Sequence, residues 1–253
     1  MNKGIETAPI SGAIGISYLR VYTTQAPDGL AGGCPHMHFA CTESYAVLEG
    51  HGHVQILGYE GYREVPLQPG TLLWYTPGII HRLVNEDGNL KLLVIMQNAG
   101  LPEAGDHVLS FPFEILADKE TYYRHASLAD AAGRVYADDA EAAFKRRDLA
   151  VTGFIQLRER YEKEGATVMD EFFKLAANLV HDKVPDWRKV WEEKILKKAC
   201  KVTERHLSAM ESLNLTHLKQ GHAFSLASPA TPERFGFCGW LSPYDLEGTR
   251  CYL

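Results

Sequence analysis

The sequence predicts an antiparallel β-sandwich or β-barrel followed by an α-helical extension. Short β-type runs recur at close spacing over the first hundred residues, and Gly and Pro punctuate them. After about residue 127 the apolar positions switch to a helical period. Many short strands with regular turns argue a sandwich or barrel.

The first run, residues 14–22 (IGISYLRVY), alternates and is rich in β-formers. Further strands are expected at 45–48, 54–57, 63–67, 72–75, 81–84 and 90–96. Their connectors are turn-like: Glu49-Gly50, Tyr59-Glu60-Gly61, Gln68-Pro69-Gly70, Pro77-Gly78 and Asp87-Gly88. Asp87-Gly88 between two apolar runs signals a hairpin. The chain changes character near Leu101-Pro102.

Beyond it, a helix is expected over 138–164, with Phe144, Val151 and Ile155 on one side. Gly153 weakens that helix by up to ~1 kcal/mol. A second helix carries Val168, Phe172, Leu175, Ala176 and Leu179 on one face, with Thr167 and Asp170 able to cap its start. A third carries Trp187, Trp191, Ile195, Ala199 and Val202, with Asp186 as N-cap. Residues 221–253, rich in Gly, Pro, Ser and aromatics, read as loop with at most one strand. The division is therefore a β domain over 1–110 and a mainly helical extension over 111–253 that ends in an irregular segment. The helices either pack outside the barrel or serve as a lid or dimerisation element. Lys194, Lys197, Lys198 and Lys201, interleaved with Glu192, Glu193 and Glu204, read as a solvated face.

The 253 residues are 45% hydrophobic, enough for a sizeable core, and carry a net charge of −6. Nucleic acid and anionic membranes want a basic face, so neither is expected as a partner. No stretch approaches ~18 consecutive apolar residues, as a membrane span would need. The first residues lack the apolar run of a signal peptide. The cysteines, 34, 41, 200, 238 and 251, are odd in number and scattered. Reduced thiols in a cytoplasm are the expectation.

Function is carried by His36, His38, Glu43 and His81. On an extended strand, residues two apart share a face, so His36 and His38 can point at one ion. Glu43 follows closely enough to return as a carboxylate ligand. His81 arrives after its own turn, Thr76-Pro77-Gly78. Three imidazoles and one carboxylate suit one divalent transition ion: Fe, Mn, Ni, Co, Cu or Zn.

Neighbouring residues carry two readings each. Cys34, in phase with His36, either shapes the pocket or touches the metal, or is a small buried residue. Tyr45, in phase with Glu43, either donates to substrate or packs inside. Arg82 points away from His81, toward the surface. His51, His53, His217 and His222 read as surface groups.

The spacing H-x-H-x4-E-x6-G, from His36 to Gly50, and Gly70-x7-Gly78-x2-His81-x3-Asn85, with Pro77 inside it, resembles the two motifs of the cupin superfamily. The likeness is to a metal-binding, single-domain cupin of the small β-barrel type, a double-stranded β-helix, and covers about residues 15–98. It implies that His36, His38, Glu43 and His81 bind a metal in the barrel mouth and that Asn85 supports the second histidine strand. The family often has Gly six residues before its first His, where this chain has Leu30 beside Gly29. The family's Pro usually stands two residues before the second-motif Gly, whereas Pro77 directly precedes Gly78. Both departures concern turn geometry.

The resemblance implies a mononuclear metalloenzyme acting on a small oxygenated molecule, either a dioxygenase or an isomerase, lyase or decarboxylase. Glu43 and Tyr45 are the catalytic candidates, and a homodimer is implied. The alternative is a non-catalytic cupin that holds a metal or sugar-like ligand as a sensor. A DNA-binding regulator is disfavoured, because the helices carry no DNA-reading motif and the charge is acidic. A third role, assembly through the helices, remains open.

Overall fold

The computed structural model describes residues 13–128, 140–220, 224–226, 229, 233–244 and 250–251. Nine short strands fill the N-terminal part: β1 (Gly15–Val21), β2 (His36–Met37), β3 (Glu43–Glu49), β4 (Gly52–Gly58), β5 (Gly61–Leu67), β6 (Leu72–Tyr75), β7 (Ile80–Asn85), β8 (Lys91–Met96) and β9 (Val108–Leu109). They sort into two antiparallel sheets. One has the order β5-β4-β7-β2-β9. The other contains β1-β8-β3-β6, extended beyond β1 by β12 (Gly239–Pro243) and then β11 (Arg234–Phe235). A separate two-stranded pair joins β10 (Phe224–Ser225) to β13 (Arg250–Cys251).

Alternation along the strands decides which residues meet. β3 buries Glu43, Tyr45 and Val47 while Ser44 and Ala46 stay half-buried. Leu19, Val21, Tyr45 and Val47 of one sheet pack with Val54, Leu67 and Leu83 of the other, so an apolar core lies between the sheets. A second core includes Met37, Leu57, Ile80 and Leu109 of the five-stranded sheet. Helices cover it: α1 (Phe113–Leu116), α2 (Lys119–Ala126), α3 (Ala140–Glu164), α4 (Thr167–Val180) and α5 (Val184–Val190). Phe154 and Leu157 of α3, Phe172 and Leu179 of α4, and Trp187 of α5 fill that layer.

Gly153 has a specific reason to lack a side chain. A Cβ there would stand 2.2 Å from the Ser110 carbonyl oxygen and 2.3 Å from the Phe111 carbonyl carbon. The helix lies directly on the chain segment leaving β9, a contact that excludes any larger residue. The buried face of α3 is Ala143, Ala150, Val151, Phe154 and Leu157, and it also includes Arg146 and Arg147.

The Asp87-Gly88 turn exists, with Gly88 at φ +74°. Its flanking strands do not form a hairpin: β7 pairs with β4 and β2, whereas β8 pairs with β1 and β3. The turn carries the chain from one sheet to the other, a route that two-residue turn chemistry cannot announce. Arg82 points away from the cluster but is fully buried instead of facing solvent. The loop between β1 and β2 closes over it. Arg82 donates to Asp28, to Gln55 Oε1 at 3.2 Å and to the Gly33 carbonyl at 3.2 Å.

Thr167 and Asp186 are not N-caps. Ala166 precedes α4 without a side-chain cap. Asp186 lies inside a helical run that begins at a 3₁₀ turn, His181–Lys183, and continues through α5, a π-helix (Trp191–Cys200) and α6 (Lys201–Glu211). The segment after 221 contributes more than one strand, and β12 pairs with β1 over five residue pairs, from Ser17↔Pro243 to Val21↔Gly239.

Candidate metal centre

β2 and β7 are neighbours, with His36 directly opposite His81 in the pairing. Glu43 opens β3 in the facing sheet, opposite Met96 of β8 and Tyr75 of β6. His38 lies one residue past β2. The four side chains therefore converge from both sheets into the space between them. One ligand atom from each lies within 4.8 Å of all the others. Two metal–ligand bonds of about 2.1 Å span about 4.2 Å, so closure onto an ion needs shifts of only a few tenths of an ångström. All four are buried, with exposures of 3% for His36, 7% for His38, 5% for Glu43 and 1% for His81.

Backbone carbonyls set the histidine tautomers. His36 Nδ1 donates to the Cys34 carbonyl at 3.0 Å, and His81 Nδ1 donates to the Ile79 carbonyl at 3.1 Å. His38 Nδ1 donates to the Asp106 carbonyl. Each ring thus holds a proton on Nδ1 and turns Nε2 inward. Glu43 Oε2 lies 3.2 Å from His38 Nε2 and 3.0 Å from His81 Nε2. At these distances a proton on a ring nitrogen, or a cation held beside all three atoms, satisfies the contact. Glu43 Oε2 and His81 Nε2 are fully buried without a hydrogen-bond partner. One proton cannot serve three imidazoles and a carboxylate at once; a divalent ion can, and this donor set fits one.

The electrostatics act differently on each member of the cluster. Burial, reinforced by the neighbouring His81 and His38, pushes the His36 pKa well below its usual value, so that ring is neutral near pH 7. Burial works against charge on Glu43, yet His81 and His38 beside it hold its pKa well below the usual carboxylate range. For His38, burial opposes protonation, and Glu43 and Asp106 outweigh it to raise the pKa.

The cluster forms part of the wall of a cavity of about 330 Å³. His36, His38 and Glu43 reach that wall, whereas His81 does not. Leu19, Val94 and Met96 contribute an apolar side from the six-stranded sheet. The rest comes from outside the motif region: Pro102, Glu103 and His107 of one loop, Arg146 of α3, and Phe235 to Cys238 with Leu241 near the end of the chain.

Sequence reasoning missed Asp106, His107, Arg146 and Phe237. Asp106 is fully buried and acts as a clamp on the ligand segment. Its Oδ1 accepts from the Phe39 and Ala40 amides at 2.9 and 3.0 Å while its carbonyl orients His38. Trp187 Nε1 anchors the same loop through the Ala104 carbonyl at 3.0 Å. Arg146 carried a usable signal, because it falls on the buried stripe of its own helix. Phe237 carried none, since its neighbourhood is irregular chain.

Tyr45 is fully buried, with its hydroxyl 3.7 Å from Cys238 Sγ, and it is absent from the cavity wall. Tyr75 stacks on His81 with ring centroids 4.2 Å apart. Cys34 is buried and off the wall, and its carbonyl holds His36. Asn85 Nδ2 donates to the Val21 carbonyl at 3.1 Å and Asn85 Oδ1 accepts from the Leu90 amide at 3.2 Å, tying β7 to the other sheet. His51 is exposed beside Asp87, and His53 pairs with Glu86 at 2.6 Å. His217 stacks on His206, away from the cluster, and His222 lies outside the described residues. Among the described residues, no helix is long and apolar enough to cross a membrane.

Comparison with known proteins bears on the same segment. Residues 21–96 match the family model of the cupin domain. No curated protein matches the chain. Similar solved structures include WlaRA, a TDP-fucose-3,4-ketoisomerase from Campylobacter jejuni, at 15% identity over 37% of this chain and 64% of that chain, TM-score 0.31. KdgF from Halomonas sp. is 21% identical over 26% of this chain and 57% of that chain, TM-score 0.24. A cupin protein from Bacteroides fragilis is 24% identical over 34% and 65%, TM-score 0.26. The chain thus spans less than two thirds of each of these proteins. With both ligand motifs inside the matched segment and the strands paired as two antiparallel sheets, residues 21–96 are a cupin domain of the cupin superfamily.

Proposed function

We propose that this chain is a metal-dependent enzyme acting on a small oxygenated molecule, with His36, His38, Glu43 and His81 as ligands to one divalent ion. The observation that carries it is the convergence of four buried donor side chains, three of which reach the wall of a cavity large enough for a substrate. A structural metal site is sealed, whereas a catalytic one keeps open positions. When bound, the ion supplies Lewis acidity and free coordination positions that polarise an oxygen-bearing substrate. Fe, Mn, Ni, Co, Cu and Zn all suit the donor set.

The protein's own residues do the rest. The Cys34, Ile79 and Asp106 carbonyls keep three Nε2 atoms aimed inward. Leu19, Val94, Met96 and Phe237 give the cavity an apolar side. Tyr45 acts from behind, as a packed support of Glu43 and His81, and does not touch the substrate in this reading. The reaction class is a dioxygenase, or an isomerase, lyase or decarboxylase. The free thiols of Cys34, Cys41, Cys200 and Cys238 fit a reducing compartment, and we place the protein in a cytoplasm on that ground. The exposed Leu72 and Trp74 on the edge strand β6 are the proposed contact face of a homodimer.

The test is turnover of hydroxy-acids, diols and enediols by protein loaded with each ion in turn. Oxygen uptake with Fe(II) identifies a dioxygenase. Metal-dependent loss of substrate without oxygen uptake identifies an isomerase or lyase. Absence of metal-dependent turnover across the panel contradicts the enzyme reading.

A further inference from the structure

Arg146 is a guanidinium only 7% exposed on the wall of the same cavity. Its Nη1 donates to the Ala126 carbonyl at 3.3 Å and its Nη2 to the Gly236 carbonyl at 3.2 Å. Its Nε is fully buried with no partner. A guanidinium has five N–H donors; two carbonyls and the Cys34 thiol take some of them, and the Nε–H is left over. Among the described residues, no carboxylate pairs with Arg146, in contrast to buried Arg82, which Asp28 neutralises. A buried charge without a counter-ion is costly, and proteins retain one where something else supplies the opposite charge.

The cavity is where that charge would come from. Phe237 packs against the guanidinium and against two histidine rings. Its ring centroid is 4.8 Å from Arg146 Cζ, 5.1 Å from the His36 ring and 4.5 Å from the His107 ring. A molecule of a few heavy atoms can therefore meet the ligand cluster at one end and Arg146 at the other. Glu103 also borders the cavity, but it is exposed and its Oε2 is taken by the Gly100 amide at 2.8 Å. With a divalent ion held by one carboxylate, ion, Glu43 and Arg146 together leave the site positive, which favours an anionic guest.

We infer that Arg146 is the carboxylate-recognising residue of this site, and that the substrate is a small carboxylic acid carrying a second oxygen next to, or near, its carboxylate. This rests on the metal-site reading above and narrows it to 2-oxo and 2-hydroxy acids and their close analogues. The planar fork of Arg146 presents paired N–H groups to a carboxylate, a match that an ammonium cannot reproduce.

The test is binding rather than turnover. Metal-loaded protein is titrated calorimetrically with a panel of 2-oxo and 2-hydroxy acids of two to six carbons, each beside its neutral primary amide. The expected result is that at least one acid binds about 10- to 100-fold more tightly than its amide, the range of one charge-assisted contact. Arg146→Gln should erase that preference while metal content stays at the wild-type level, and Arg146→Lys should restore only part of it. Equal affinity for acid and amide in every pair, or no binding of any acid, overturns the inference even if Arg146→Gln fails to fold, because wild-type protein alone gives that answer. Metal content measured on the same samples separates the two readings: protein that holds its ion yet ignores the carboxylate refutes only the role of Arg146.

Discussion

The ligand cluster and the cavity wall that faces it differ in how the chain builds them. The cluster comes from a compact stretch, residues 36 to 81, in which pairing of β2 with β7 sets two histidines side by side and β3 brings in Glu43. The opposite wall comes from residues 102–107, 146 and 235–241, drawn from a loop, a helix and the last strands. The near side gathers the four candidate metal ligands. The far side lines the rest of the cavity from distant parts of the chain.

The five-stranded sheet and the helices that cover it share one apolar core, so they should unfold together. Phe172 of α4 is buried in the core that includes Met37, Leu57 and Ile80 of the barrel sheet. Phe172→Ala should cost about 3–5 kcal/mol, the range for an emptied aromatic site in a core. Near-UV and far-UV circular dichroism should lose their signals together in one transition. A barrel that melts unchanged while only helical signal is lost would separate the regions.

A smaller effect sharpens the same point at one residue. Gly→Ala inside a helix ordinarily stabilises by up to ~1 kcal/mol. Gly153→Ala should instead destabilise by about 1–3 kcal/mol, because the new methyl would press on the Ser110 and Phe111 backbone. Denaturant midpoints read the sign, and stabilisation would mean that α3 does not lie on the chain leaving β9.

The smallest effect concerns acid. Burial, then His38, Lys183 and Arg146, lower the His107 pKa to about 3. Burial presses His36 down as well. Unfolded histidines titrate near ~6.5, so between that pH and about 3 the unfolded chain binds more protons than the folded one. The raised pKa of His38 acts in the opposite sense: its contribution is present in acid and lost as pH rises. Two depressed rings against one raised ring leave metal-free protein less stable as pH falls from 7 to 5. The His107 share is at most about 1.4 kcal/mol per pH unit. His107→Gln should flatten the dependence of Tm on pH, and an unchanged slope would contradict the depressed pKa of this half-buried ring.

Legibility in the sequence followed the same divide. The strands were readable because alternation and Gly-Pro punctuation are local, and the four candidate ligands because strand spacing and motif are local too. Sheet membership was not readable: Asp87-Gly88 looks like a hairpin turn whether the chain folds back or crosses to the facing sheet. Arg82 alternates away from His81 as expected, but only the fold reveals that the loop around Asp28 buries it. The least legible part was the stretch containing Phe237 and β12. Its partners, β1 and Arg146, lie far off in sequence, and no periodicity within five residues announces them. Asp106 was equally hidden, since its value lies in two amides and one imidazole some 65 residues earlier in the chain.

The most direct measurement is the metal content of protein purified without chelators or a histidine tag, beside a His36→Ala/His81→Ala variant prepared identically. The account predicts about one divalent transition ion per chain in the wild type and essentially none in the variant, with both remaining folded. A folded wild-type protein that holds no ion after exposure to all six metals, or a variant that binds as much as the parent, would contradict it.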